Sequence, residues 1–395
     1  MTRLLHRDDP YLLEFDARVV GRREHGGQPA VVLDRTAFYA ESGGQPWDTG
    51  TLDGVPVVAV LEHGGEVLHV LGGPLESDSV RGRVDGQRRR DHMQQHHGQH
   101  LLSRAFVETA SANTISFHLG ADVSTIDLDR PVSEDAVRQA ETLCNGIVWE
   151  ARPVRTSVVP RGQAEALGVR APDDVGDEVR VVEAEGYDAQ ACGGTHPHST
   201  SQVGVILILG HERYKSGSRV RFVCGERALA AFRARASAVN RIGALLSAPP
   251  EDVPASVARL QEKLAESTRR SREMADRALR AEAGRLLAAA GSPAVVTAIY
   301  DGWPTEDLRT LAQHLVGSAS CVALLASRAE KVHLVFAQSE GLPHDIPGLL
   351  RQALADIGGR GGGRGNLAQG GGESAAGLET ALARAERTVR ERSAA

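Results

Sequence analysis

The spacing of hydrophobic positions changes along the chain, and each change marks an element. Through residue 86 the apolar residues come in short Val- and Leu-rich runs, ARVVGRREHGGQPAVVLD and GTLDGVPVVAVLEHGGEVLHVLGG, interrupted by Gly-Gly and Asp-Gly. Short runs separated by such dipeptides predict strands joined by tight turns, closing into a small barrel. From residue 87 the period lengthens. Asp91 stands where an N-cap belongs, with Gln94 in the capping-box position, and Leu101, Leu102, Ala105, Phe106 and Val107 supply the buried stripe of a helix reaching about Ala110. TISFHLGADVSTIDLD alternates like strands, SEDAVRQAETLCNGIVWEA is amphipathic at helical period, and EVRVVEAEG begins a further run of strands to about residue 230. Residues 231–290 read as almost wholly helical. A thin stripe of Val257, Leu260, Leu264, Ala275, Leu279 and Ala283 among many charges predicts a spacer or dimer element. The remainder alternates strands (AVVTAIYD, CVALLAS, VHLVFAQS) with helices and carries the run GGRGGGRGNLAQGGG, read as a glycine-rich loop.

The expected fold is therefore α+β and multidomain. A glycine-rich β-barrel occupies 1–86, an α+β domain 87–230, a helical spacer 231–290, and an α/β domain with a glycine-rich loop 291–395.

Composition narrows the function class. At 395 residues, with 41% hydrophobic and 24% charged, the chain can bury several cores. It has no apolar run long enough to span a bilayer and no apolar signal core at its start. Four cysteines, at 144, 192, 224 and 321, are too widely spaced for a disulfide framework and fit a reducing cytoplasm. The net charge of −6 excludes a uniformly basic nucleic-acid coat. Arginines nevertheless cluster, at 88–90, 219/221, 269/270 and 360/364, as solvated faces or as a phosphate-binding track.

The candidate chemistry lies in two short segments. In HMQQHHGQH, His92, His96 and His100 recur every four residues and share a helix face, while His97 points elsewhere. About 90 residues later, Cys192-Gly-Gly-Thr-His196 sets a thiol and an imidazole four apart, around glycines expected to supply a tight turn with positive φ. An H-x3-H helix and a C-x3-H turn together offer three imidazoles and one thiolate, a zinc set whose net charge near +1 suits a Lewis acid. A closed zinc that only staples the domain is the alternative. The H-E-x-x-H glutamate of metalloproteases is absent: Met93 follows His92, and His97 follows His96.

HHGQHLLSRAF with DAQACGGTHPHSTSQVG resembles the zinc core of alanyl-tRNA editing proteins and of the editing domain of alanyl-tRNA synthetase. FYAESGGQPWDTG resembles that family's glycine-rich barrel motif, and GGRGGGRGNLAQGGG its C-terminal RNA-associated domain. Only about 15 residues precede the first strand, so the resemblance is to a freestanding editing factor rather than a synthetase with its class II domain. It implies the ligand set His96, His100, Cys192 and His196, with His97 departing from the threonine of many relatives. It implies a cofactor, Zn2+, and a partner, alanine tRNA mischarged with serine or glycine, whose aminoacyl ester is hydrolysed. Two roles are open to the metal: lowering the pKa of a bound water toward about 7, or holding the substrate through its α-amino group.

Other candidates follow from chemistry at these motifs. Glu41 could position water, or simply satisfy its own turn. Gly43, Gly44 and Gln45 could offer backbone N–H groups to a phosphate or ribose. Thr114, with Ser116 as its neighbour, could hydrogen-bond a seryl hydroxyl. Arg360 and Arg364 suit phosphate contacts. The glycine run lacks the strand–loop–helix setting of a dinucleotide site. Further expectations are a cytoplasmic location, no membrane contact, and a homodimer through the spacer or the C-terminal domain. A non-catalytic tRNA-binding protein with structural zinc is the second function class.

Overall fold

A computed structural model describes residues 2–166, 168, 169, 176–291 and 294–394. The chain divides into two compact units, Met1–Ile242 and Gly243–Ala395.

The first unit opens with a closed six-stranded barrel. Its strands run in the order Glu14–His25, Gln28–Leu33, Glu66–Leu71, Val55–His63, Gly50–Leu52, Ser79–Val84, all neighbours antiparallel. Three hairpins turn through paired positive φ values, at Gly26-Gly27, Asp53-Gly54 and Gly64-Gly65. Positive φ at both central residues gives the turn whose twist matches that of its strands, and glycine adopts it without steric cost. Phe15, Leu33, Phe38, Leu52, Val60 and Leu71 fill the interior.

The helix that follows, Gly86–Ala110, is capped six residues before the expected position. Asp85 is the N-cap, its Oδ1 accepting from the backbone N–H groups of Gln87 and Arg88. Asp91 is instead drawn sideways into an ion pair with Arg227. The early start places Arg89 in the core, where it is 1% exposed and paired with the fully buried Asp48. Arg89 also donates to the carbonyls of Pro10 and Ala37, and Asp48 accepts from the Tyr39 backbone N–H. One buried ion pair thus ties the helix to the start of the chain and to the segment joining the barrel strands Gln28–Leu33 and Gly50–Leu52.

Leu101, Leu102 and Phe106 on that helix pack with Ile126, Ile147 and Phe222. This second core lies among the helix Glu134–Trp149 and an antiparallel sheet ordered Ile206–Tyr214, Gly217–Cys224, Ser124–Leu128, Thr114–Leu119. A three-stranded sheet, Val154–Pro160, Glu178–Ala184 and Asp188–Ala191, leads into the C-G-G-T-H segment. The division between units falls within the helix Gly225–Leu246.

The second unit contains the helix Val253–Ala289 and a five-stranded sheet ordered Ala294–Asp301, Cys321–Arg328, Val332–Gln338, Leu367–Gly372, Arg360–Arg364. Its first pair is parallel, bridged by the helix Thr305–Ser318, and the others are antiparallel. Two clusters of buried side chains, one with Leu308, Leu311 and Leu315 and the other with Leu350, Leu354 and Leu382, flank the sheet.

The glycine-rich run is a hairpin rather than a loop. Arg360–Arg364 pairs with Leu367–Gly372. The glycines answer a close approach: a Cβ at Gly361 or Gly370 would fall 2.8 or 2.5 Å from the Leu354 Cδ1 of the overlying helix. Small residues let that helix lie directly on the strands.

Candidate metal centre and adjoining cleft

The histidine helix and the Cys192–His196 segment meet inside the first unit. One ligand atom from each of His96, His100, Cys192 and His196 lies within 4.8 Å of all the others. Cys192 Sγ is 3.3 Å from His96 Nε2 and 3.2 Å from His196 Nε2. A tetrahedral zinc with ordinary bond lengths sets its ligand atoms about 3.5 Å apart, so the donor set fits that ion in type and in size.

Each of the three imidazoles turns Nδ1 toward a supporting side chain. His96 Nδ1–H donates to Gln45 Oε1 at 2.7 Å. His100 Nδ1 faces Asp188 Oδ2 at 3.6 Å. His196 Nδ1 lies 3.2 Å from His97 Nδ1. Engaging Nδ1 leaves Nε2 for a metal and fixes the ring plane, the usual arrangement behind metal-binding histidines. His97 therefore does not point away from the cluster. It is 1% exposed and sets its ring against His100 and His196.

The glycines of C-G-G-T-H act differently from expectation. Neither Gly193 nor Gly194 has positive φ. Gly194 is needed because a Cβ there would sit 2.2 Å from His96 Cε1. Arg180 steadies the segment by donating from Nη1 to the Cys192 carbonyl.

Burial alone would raise the Cys192 thiol, but the His96 and His196 rings and hydrogen bonds from His100 and His196 draw it well below the ordinary thiol range. Burial would likewise lower His100, yet the Asp188 carboxylate and the Cys192 thiolate facing it raise it above the ordinary imidazole range. Burial dominates at His196, lowered to about 3, and at His97. The cluster thus favours the Cys192 thiolate, the form in which a cysteine ligates a metal.

A cleft of 670 Å³ adjoins the cluster, lined by Gly43, Gly44, Gln99, Thr114, Ser116 and Asp188 among others. Phe117, 5.9 Å from His96 between ring centroids, also lines it. Gly43 and Gly44 have φ of 54° and 80°, and a Cβ on Gly44 would strike the Phe117 ring. Thr114 Oγ1 is 2.6 Å from Ser103 Oγ. A larger cleft, 850 Å³ and lined in part by Arg88, His92 and Arg227, contains none of the four candidate ligands.

The remaining candidates are dispersed. Glu41 is exposed on its turn and outside the cleft wall. Gln45 is fully buried: its amide oxygen accepts from the Thr195 N–H as well as from His96, and its amide nitrogen donates to Thr195 Oγ1. Its side chain, not its backbone, is what the turn delivers. Arg360 and Arg364 are exposed on the edge strand of the second unit. Neither motif singles out Asp188, although a residue four before Cys192 on an extended segment lies on the same face. Replacing Gln45 by leucine is expected to weaken zinc binding about 10–100-fold, read by competition with a chromophoric chelator, with the fold retained.

Three families match the chain. Threonyl and Alanyl tRNA synthetase second additional domain covers residues 179–222, which include Cys192 and His196. tRNA synthetases class II (A) covers 12–88, and DHHA1 domain covers 272–391. The chain is 32% identical over 395 residues to the alanyl-tRNA editing protein AlaX-L of Pyrococcus horikoshii, spanning 94% of each. It is 34% identical to the alanine–tRNA ligase of Pyrococcus furiosus over 93% of this chain but 42% of that enzyme. Among solved structures, the C-Ala domain of Aquifex aeolicus alanyl-tRNA synthetase aligns with 25% of this chain and 94% of its own, at 26% identity and a TM-score of 0.24.

Proposed function

We infer the reaction from one premise: the chain belongs to the family of alanyl-tRNA editing proteins. It is an aminoacyl-tRNA deacylase, a hydrolase of the ester between an amino acid and tRNA. Our finer reading is zinc-dependent release of serine or glycine from mischarged alanine tRNA, in trans and in the cytoplasm. The observation that carries it is the convergence of one thiol and three imidazoles beside a cleft whose wall contains Asp188 and Phe117, neighbours of His100 and His96.

In this reading His96, His100, Cys192 and His196 hold zinc, which when bound supplies Lewis-acid chemistry for ester hydrolysis. Gln45, Asp188 and His97 keep the three rings oriented. Gly43 and Gly44 let the turn approach the ribose or phosphate of the terminal adenosine, since their positive φ exposes backbone without a side chain. Thr114 and Ser116 provide hydroxyls on the cleft wall. Arg360 and Arg364 serve the tRNA backbone. Leu260 and Leu264, 56% and 67% exposed, are the surface for a homodimer through the helix Val253–Ala289.

No helix among the described residues is long and apolar enough to cross a membrane. The test is release of serine, glycine and alanine from charged alanine tRNA, with and without chelator. Release of serine or glycine that the chelator abolishes is expected. Bound tRNA with its ester intact would favour a non-catalytic protein with structural zinc.

A further inference from the structure

The cleft wall carries an acceptor that the protein leaves unmatched. Gln99 stands on the histidine helix between His96 and His100 and is 3% exposed. Its Nε2 donates to Ser103 Oγ at 2.9 Å, and Ser103 Oγ lies 2.6 Å from Thr114 Oγ1. Its Oε1 is buried and has no partner. A buried acceptor left unsatisfied forfeits the hydrogen bonds it would make with water. Gln99, Ser103 and Thr114 all line the cleft, so an incoming donor can replace one of them.

We propose that Gln99 is a specificity-determining residue whose amide oxygen receives the side-chain hydroxyl of a seryl ester. This rests on the deacylase reading. The substrate brings three kinds of donor. The α-amino group and the ribose hydroxyl are common to seryl, glycyl and alanyl esters, and an ammonium group would find a stronger acceptor in Asp188 on the same wall. The seryl hydroxyl is neutral and matches a neutral acceptor at the end of a hydroxyl chain. Glycyl and alanyl esters leave Oε1 unmatched. A site built to bond a hydroxyl discriminates against analogues lacking it more strongly than size can.

The test is single-turnover deacylation of seryl- and glycyl-charged alanine tRNA by the wild type, Gln99→Met and Gln99→Glu, with zinc content measured on each. Methionine keeps the length without the acceptor. It is expected to lower the rate on the seryl ester about 10–100-fold more than on the glycyl ester. Glutamate keeps an acceptor and should hold the seryl-to-glycyl ratio within about threefold of the wild type. Equal falls on both esters in Gln99→Met would overturn the inference and make Gln99 a structural residue. If the methionine variant does not fold, Gln99→Glu decides, and a ratio collapsing toward unity overturns the proposal. Release of neither ester by the wild type would instead bring down the deacylase reading itself, and this proposal with it.

Discussion

Cys192→Ala is expected to lose its metal and, with it, deacylation. Four ligands share a binding free energy of about 10–16 kcal/mol, so removing one costs about two to three decades of affinity. Alanine also removes the only anionic ligand, leaving three imidazoles to hold a divalent ion. Zinc measured on the purified protein should fall from one equivalent to a trace, and His96→Ala, His100→Ala and His196→Ala should behave alike. His92→Ala is the contrasting case. His92 lines the larger cleft and lies outside the cluster, so its removal should leave the metal in place. Zinc lost from His92→Ala, or retained in Cys192→Ala, would refute the ligand set.

The largest effect on stability is expected from Asp48→Ala. Asp48 and Arg89 are 0% and 1% exposed, and removing the carboxylate strands a guanidinium in the core. Breaking such a pair from one side costs about 3–5 kcal/mol. The double variant Asp48→Leu/Arg89→Met should recover much of the loss, because it leaves no unpaired charge. Urea denaturation of the wild type and both variants measures this. An Asp48→Ala protein within about 1 kcal/mol of wild type would show that water or a rearrangement rescues Arg89.

Local chemistry was the most legible part. The H-x3-H and C-x3-H spacings are set by helix period and by a short turn, so both halves of the cluster could be read before any packing was known. Their supports could not. Gln45 is distant from both motifs in sequence and meets them only because the barrel turn folds against the helix. Periodicity places His97 beside His96 on the helix but says nothing of His196 arriving over it. Asp91 has the composition of an N-cap, yet its carboxylate pairs with Arg227, 136 residues away, and Asp85 caps instead. Gly194 and the glycines of the C-terminal hairpin answer contacts made across the fold, whereas Gly26-Gly27 and Gly64-Gly65 answer a local turn and could be recognised as such. The same division separates Thr114, visible as a strand hydroxyl, from the Gln99–Ser103 chain that fixes it.

The Gln45 side chain also links two equilibria. If the barrel turn tightens metal binding by holding His96, thermodynamic reciprocity requires the metal to tighten the turn by the same free energy. Zinc is then an allosteric ligand of a segment it does not touch. Amide protons at Gly44 and Gln45 should exchange faster in the metal-free protein and regain protection on titration with zinc, and in Gln45→Leu their exchange should no longer respond to the ion. Loss of the ion would, by this coupling, loosen the Gly43–Gln45 turn as well.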